Sequence, residues 1–167
     1  KFEYLGMSVD LSSHKRGVVT MSNYIRECVD EYGVTQRAKT PAADNLFDID
    51  ESSPKLDAIE KDKFHRSTAK VLYLSTRVRP DILLPITFLC TRVQCATEED
   101  KAKLLRVLKY LNHTADKGIV LGSRGDKLTV KVYADASFAV HADMKSPGGL
   151  VIIDNHGPSI VKVAKQK

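Results

Sequence analysis

A lone acidic residue at the end of an apolar strand is the feature that most constrains this chain. Leu128, Val130 and Val132 alternate with polar residues, a pattern that predicts a half-buried strand. The strand falls within residues 127–138, and Asp135 stands near its far end, followed by small residues. A carboxylate there is well placed to bind a hard cation such as magnesium through oxygen. One carboxylate does not make a two-metal site, because that chemistry needs several acids around a pair of ions.

Length and composition predict one ordinary domain or two small ones. The chain has 167 residues, of which 43% are hydrophobic, enough for a core. No run approaches the ~20 apolar residues of a membrane span, so no membrane partner is expected. No signal-peptide pattern opens the chain, and both ends are expected to be cuts in a longer protein. Three cysteines argue against a disulfide framework and favour a reducing compartment.

Charge is segregated along the chain. Residues 42–60 carry one Lys/Arg and six Asp/Glu, a net charge of −5. Residues 61–113 carry eleven Lys/Arg and five Asp/Glu, a net charge of +6. A strongly basic segment beside an acidic one could be a footprint for a phosphate backbone, but charge alone favours an ordinary solvated face. Neither interpretation is excluded by the charges.

Residues 1–42 predict a β-hairpin followed by a helix. Residues 1–10 form the first strand, 12–17 the turn and 18–21 the second strand. Ser22 is placed to N-cap a helix over residues 23–32, and Gly33 to terminate it. Residues 43–61 show neither helical nor strand periodicity, which predicts a long acidic loop or linker.

Residues 62–114 predict three helices. The first covers about 63–78, and the second contains Pro85, which should kink it or cost roughly 3 kcal/mol. The third begins at Thr97 with a capping-box-like sequence and runs to about residue 112. Its expected buried residues are Ala102, Leu105, Leu108 and Leu111. On another face of this helix lies a basic stripe, which favours a polyanion more than isolated cations would: Lys103, Arg106, Lys109 and His113.

Residues 115–167 predict a mixed or antiparallel sheet, which makes the chain α+β. The turns between its strands contain glycine, as at residues 124–126 and 154–157. The four predicted strands are Ile119–Leu121, Leu128–Tyr133, Leu150–Ile153 and Ser159–Val163.

Several short motifs in this order resemble one family along nearly the whole chain. They resemble the Pol polyprotein of copia-type LTR retrotransposons, from the end of the reverse transcriptase into the ribonuclease H domain. Each motif alone is weak, but together their order and spacing are specific. The motifs include Tyr4-Leu-Gly-Met7, Met21-Ser-Asn-Tyr24, Thr40-Pro41, Phe64-His-Arg66, Arg79-Pro-Asp-Ile82, Leu105-Arg-Val-Leu-Lys-Tyr-Leu111 and Tyr133-Ala-Asp-Ala-Ser137.

The resemblance implies a role for each region. Residues 1–42 look like a primer grip, in which Leu5, Gly6 and Met7 would contact the primer. Residues 43–61 would be an acidic linker, and 62–114 a thumb- and connection-like region that grips duplex backbone. Residues 115–167 would be the first part of a ribonuclease H sheet. Asp135 matches its first catalytic carboxylate and magnesium ligand; Asp143 is an unlikely second ligand.

The family's polymerase acids precede this segment, and its remaining ribonuclease H acids would lie beyond Lys167. The resemblance therefore implies a piece that binds nucleic-acid backbone, in an RNA–DNA hybrid or duplex, without catalysis. Its other partner would be the remainder of the Pol polyprotein, and its location the cytoplasm, virus-like particles or the nucleus. Without a covering helix, the last sheet is expected to expose apolar surface.

Two other functions compete with this one. The chain could be a structural or protein-interaction remnant in which the acidic loop pairs with the basic helices and leaves no surface for nucleic acid. It could also be a nuclease in its own right, which would require a complete cluster of acids that the sequence does not supply.

Overall fold

The computed structural model describes residues 1–13, 16–122, 129–136, 147–155 and 157–165. Helices and antiparallel sheets occupy separate parts of the chain, so the α+β class is confirmed. A 3₁₀ turn at Pro80–Ile82 lies between the second and third helices. The elements are β1 (Phe2–Tyr4), β2 (Met7–Ser13), β3 (Arg16–Thr20), α1 (Ser22–Asp30), α2 (Ala58–Arg77), α3 (Leu83–Arg92), α4 (Glu98–His113), β4 (Ile119–Leu121), β5 (Val130–Ala136), β6 (Pro147–Asp154) and β7 (Gly157–Lys165).

The N-terminal segment forms two hairpins, where the sequence predicted one. The expected first strand is divided at Leu5 and Gly6, and β1 folds back on β2 with Tyr4 opposite Met7. β2 then pairs antiparallel with β3. The single-strand prediction was wrong because two successive residues with positive φ reverse the chain at this point.

The strand Ile119–Leu121 belongs to the N-terminal sheet, which corrects its assignment to the C-terminal one. β4 pairs antiparallel with β3, so the first sheet has the order β1-β2-β3-β4. This pairing requires close approach, because a Cβ on Gly118 would lie 2.1 Å from the carbonyl oxygen of Val19. Only glycine fits at that position without displacing the strand.

Two helices begin where the sequence did not place them. The N-cap of α1 is Met21, which makes no side-chain capping hydrogen bond, and Ser22 is the first helical residue, so the prediction of Ser22 as the N-cap was wrong. α2 begins at Ala58, within the range predicted as a linker. Its N-cap is Asp57, whose carboxylate accepts a 2.8 Å hydrogen bond from the Glu60 amide.

Pro85 does not interrupt a helix, contrary to the prediction. It lies in the first turn of α3, where backbone amides have no intrahelical partner to lose. The capping box predicted at Thr97 is confirmed: its hydroxyl accepts from the Asp100 amide, and the Asp100 carboxylate accepts from the Thr97 amide at 3.0 Å. The prediction that Ala102 is buried was wrong, and Leu105 is only partly buried. Ala102 is exposed because of its position on the helix. Two residues before buried Leu104, it lies on the opposite side of the helix.

The main core lies among the helices. α3 packs against both α2 and α4, and α1 packs against α4. No helix within the described ranges has the length and apolarity that crossing a bilayer requires. Side chains with no exposed surface come from four helices and the 3₁₀ turn, and include Ile25, Phe64, Val71, Leu74, Ile82, Ile86, Leu89, Leu104, Leu108 and Leu111.

The C-terminal sheet is antiparallel, with the order β5-β6-β7. It exposes apolar side chains, as expected: Val132 is 61% exposed, Val130 52% and Ile160 44%. The prediction that the strand before Asp135 is half-buried was wrong, because every residue of β5 is exposed. The predicted turn at residues 124–126, the predicted strand residue Leu128 and the unlikely ligand Asp143 lie outside the described residues.

Candidate nucleic-acid interface

The predicted basic stripe forms one wall of an open cleft. This cleft, of about 460 Å³, lies between α4 and residues 36–46. Lys103, Arg106 and Lys109 all line it, so the structure brings the three predicted residues together. Arg37 lines the same cleft from the opposite segment, and the sequence prediction missed it. We call this the basic cleft.

Backbone and amide hydrogen bonds hold the Arg37 segment against α4. The Ala38 amide donates to the Lys109 carbonyl oxygen at 3.1 Å. The Asn112 side-chain amide donates to the carbonyl oxygens of Gln36 at 3.1 Å and Thr35 at 3.3 Å. The bonded residues of this segment follow Gly33 by two to five positions. Gly33 has a positive φ of 62°, which lets the chain change direction after α1. The segment is therefore fixed, and Arg37 is placed beside the stripe.

Arg106 is oriented by the Thr40-Pro41 turn. The guanidinium of Arg106 donates a 2.8 Å hydrogen bond to the Thr40 hydroxyl, which itself donates to the Ala42 carbonyl oxygen at 3.0 Å. Among the described residues, no carboxylate lies within 4 Å of Arg37, Arg106 or Lys109. Three cations around one cleft thus lack an ion-pair partner in this part of the chain, which leaves their charge for an external anion.

Lys103 differs from Arg106 and Lys109 because its ammonium is paired within the described part of the protein. Its ammonium lies 3.0 Å from a carboxylate oxygen of Glu99 and also donates to the Asp48 carbonyl oxygen. The same ammonium lies 5.4 Å from the centre of the Phe88 ring. Only 10% of the Lys103 side chain is exposed. Its charge is therefore largely satisfied within the protein.

The acidic segment before α2 packs on the helices. Leu46 and Leu56 are buried, and the Leu56 amide donates to the Ala96 carbonyl oxygen at 3.0 Å. The Glu99 carboxylate accepts a 2.9 Å hydrogen bond from the Asp50 amide. That bond, helped by the neighbouring lysine, lowers the pKa of Glu99 below its usual value. The apolar residues of this segment show no helical periodicity because they pack into the core from an irregular loop.

The predicted primer-contacting residues form the tip of the first hairpin. Leu5 and Gly6 have φ values of 50° and 76°, as in a type I′ turn. The Tyr73 hydroxyl of α2 donates to the Leu5 carbonyl oxygen at 2.9 Å. Gly6 lies against Met21 and Tyr24, and Leu5 is 59% exposed. The tip rests on α1 and α2, so it shares no lining residue with the basic cleft.

Asp135 lies on β5, at an edge of the C-terminal sheet. It pairs with Gly149, its side chain is exposed, and one carboxylate oxygen accepts from the Ala136 amide at 2.9 Å. The register puts Asp135 on the same sheet face as Val163, which borders α3. In the described part of the chain, no group of three or more His, Cys, Asp or Glu side chains could hold a metal ion.

Comparison with known proteins places this chain near retrotransposon proteins. It is 31% identical over 121 residues to the retrovirus-related Pol polyprotein from transposon RE1 of Arabidopsis thaliana, covering 69% of this chain and 8% of the relative. It is 33% identical over 90 residues to the corresponding polyprotein from transposon RE2 of the same plant, covering 53% of this chain and 6% of that relative.

The matched segment is a small part of both curated relatives, under a tenth of their length. No family model matches the chain. No solved structure matches it either. The chain's relatives are retrotransposon Pol polyproteins, which agrees with the coarse form of the resemblance drawn from its motifs.

Proposed function

We propose that this chain is the part of a copia-type Pol polyprotein that joins the end of the reverse transcriptase to the ribonuclease H domain. Its own activity is binding of nucleic-acid backbone, without catalysis. The observation that carries this proposal is the basic cleft, where Arg37, Arg106 and Lys109 converge with no carboxylate partner among the described residues. Guanidinium and ammonium groups held around an open cleft are suited to phosphate oxygens.

The proposal predicts a measurable salt dependence. If Arg37, Arg106 and Lys109 each neutralise one phosphate, these three contacts should contribute about −2.7 to the slope of the logarithm of the binding constant against the logarithm of salt. The variant Arg106→Gln/Lys109→Gln should reduce the size of that slope by about 1.8. Fluorescence anisotropy with a labelled RNA–DNA hybrid of about two helical turns measures both slopes.

The matched control is Lys131→Gln/Lys162→Gln, which removes the same charge from exposed positions on the C-terminal sheet. Its slope should stay near that of the wild type. Equal losses in both double variants would mean that net charge governs binding, and an unchanged cleft variant would exclude the cleft. Lys103→Gln should change the slope less than Arg106→Gln, because Lys103 is already paired.

A structural or protein-interaction module is the second candidate, and one observation favours it. Acidic groups already occupy two cations of α4: the Lys101 ammonium lies 2.9 Å from Glu60, and the Lys103 ammonium 3.0 Å from Glu99. If the basic side chains serve only to form ion pairs within the protein, the wild type should bind no hybrid even at low salt. The anisotropy titration therefore separates the two candidates.

Polymerase and ribonuclease H activities are proposed for the whole Pol protein, together with its magnesium requirement. The remainder of that protein is the proposed partner, and the cytoplasm, virus-like particles or nucleus the proposed location. Within the described residues, Asp135 belongs to no three-residue cluster of metal ligands, so these residues do not complete a magnesium site. Asp135→Asn should accordingly leave hybrid binding by this chain unchanged.

A further inference from the structure

A second basic surface runs along α2, on a face that the sequence did not single out. Lys63, Arg66, Lys70 and Arg77 follow one another at spacings of three, four and seven residues. At about 100° per residue, these spacings put all four within a narrow stripe. The buried residues of α2, among them Phe64 and Val71, occupy the adjoining side of the helix. We call the four cations the α2 stripe.

Two cations of the α2 stripe lie over tyrosine rings. The Lys63 ammonium is 4.5 Å from the centre of the Tyr32 ring, and the Arg77 guanidinium carbon is 5.4 Å from the centre of the Tyr73 ring. In the described ranges, neither has a carboxylate within 4 Å. A tyrosine face positions a cation without neutralising its charge, so both remain able to bind an anion.

The other two cations have acidic neighbours at the surface. Arg66 lies 2.6 Å from Asp62, with both side chains more than half exposed. Lys70 pairs with Glu31 of the α1 end, and this pairing raises the pKa of Lys70. Exposed ion pairs of this kind are weak, so a phosphate can replace the carboxylate at small cost.

The α2 stripe leads to the hairpin tip. Arg77 lies over Tyr73, and the Tyr73 hydroxyl holds the carbonyl oxygen of exposed Leu5. From Lys63 to Arg77 the helix rises about 21 Å. That length matches about six base steps of a duplex at 3.4 Å each. Beside Lys63 and Arg66, a shallow cleft of about 280 Å³ between the end of α1 and α2 widens the surface.

We propose that the α2 stripe is a second contact surface for nucleic-acid backbone, continuous with the hairpin tip and separate from the basic cleft. This inference rests on the proposed function and adds a site to it. A linear row of cations, two of them without a carboxylate partner among the described residues, suits the regularly spaced phosphates of a duplex better than an irregular acidic protein. Because the two surfaces share no residue, their contributions to binding should add.

The test measures the salt slope of Lys63→Gln/Arg77→Gln against the same labelled hybrid. If Lys63 and Arg77 add two phosphate contacts to the three of the basic cleft, the slope for the wild type should be about −4.5. Removal of the two α2 contacts should reduce the size of the slope by about 1.8, and combination with Arg106→Gln/Lys109→Gln should reduce it by about 3.6. Lys63→Arg/Arg77→Lys keeps both charges and should bind like the wild type. Circular dichroism checks that every variant is folded.

Each outcome decides one proposal. An unchanged slope in the α2 variant, with a loss in the cleft variant, overturns the α2 stripe and leaves the proposed function intact. A smaller slope in the α2 variant alone supports the α2 stripe and excludes the basic cleft as a binding site. An unchanged slope in both variants overturns both proposals. Competition by polyglutamate as strong as that by unlabelled hybrid would show a surface for any polyanion, which also overturns the assignment.

Discussion

Arg79, the first residue of the Arg79-Pro-Asp-Ile82 motif, has a structural role in the core. The side chain is almost fully buried, and its guanidinium donates to both carboxylate oxygens of Asp81 at 2.9 and 2.8 Å. It also donates to the carbonyl and hydroxyl oxygens of Thr114, at 2.9 and 2.7 Å. The Tyr110 hydroxyl donates to Asp81 at 2.8 Å. The group therefore ties the junction between α2 and α3 to the end of α4.

Replacement of Arg79 by alanine should be strongly destabilising. The substitution removes the hydrogen bonds that Arg79 donates to Thr114 and to Asp81. Asp81 then keeps only the bond from Tyr110 among the described side-chain donors. Loss of one partner of a buried ion pair costs about 3–5 kcal/mol. The lower end is expected, since the Asp81 side chain keeps 38% of its surface in solvent. Urea unfolding near neutral pH measures the change, and Arg66→Ala, at an exposed pair, should change stability by less than about 1 kcal/mol.

The same variant has a pH signature. Burial alone would raise the pKa of Asp81, but the hydrogen bonds and charge of Arg79, with Tyr110, outweigh it and lower that pKa. A depressed folded pKa contributes stability above the unfolded pKa of about 3.9, and that stability is lost as pH falls through the folded value. The gap between wild type and Arg79→Ala should therefore narrow in acid. A constant gap would mean that Asp81 is not the partner that matters.

The first hairpin carries backbone strain at its tip. Leu5 has a φ of 50°, a left-handed conformation that disfavours a leucine by roughly 1–2 kcal/mol. Gly6, with a φ of 76°, adopts its conformation without that penalty. A strained and exposed leucine is consistent with a contact role for the tip, because asparagine or glycine at this position would give a more stable turn.

Leu5→Asn should therefore stabilise the chain and weaken nucleic-acid binding together. Asparagine tolerates positive φ, so a gain of about 0.5–1 kcal/mol in the free energy of unfolding is expected. Gly6→Ala should instead destabilise the chain by about 1 kcal/mol, because alanine disfavours the positive φ of this position. A steric clash does not contribute, because the added Cβ would lie at an ordinary contact distance of 3.5 Å from Met21. Urea unfolding and hybrid anisotropy are the two measurements. Stabilisation with unchanged affinity would remove Leu5 from the interface.

At the scale of the whole molecule, one face of the C-terminal sheet is apolar and exposed. The strand register puts Val130, Val132 and Ile160 on this face, away from the face that borders α3. β5 is also an edge strand, and exposed apolar edges promote association between copies. The expected consequence is self-association of the isolated chain.

Val132→Thr/Ile160→Thr should reduce that association without loss of stability. Both side chains are largely exposed, so the free energy of unfolding should change by less than about 1 kcal/mol. Light scattering against concentration measures association, and Val71→Thr in the core is the destabilising control. A large loss of stability in the surface variant would mean that this face is packed in solution.

Local sequence determined the elements whose signals lie within a few residues. The Thr97 capping box, the three central helices, the α+β class and the presence of a strand at Asp135 all follow from short-range periodicity and hydrogen bonding. The burial of that strand did not, because the alternation predicted a half-buried strand and β5 is exposed along its length. The relation to retrotransposon Pol proteins was likewise readable from short motifs in order.

Tertiary structure alone decided which of these groups meet. The pairing of β4 with β3, the place of Arg37 opposite Arg106, and the pairing of Lys103 with the Asp48 carbonyl join residues far apart in the chain. Such contacts depend on how helices pack and where the chain returns, and no local pattern specifies that. Charge along the sequence therefore located the basic region, while packing selected which of its cations remain free.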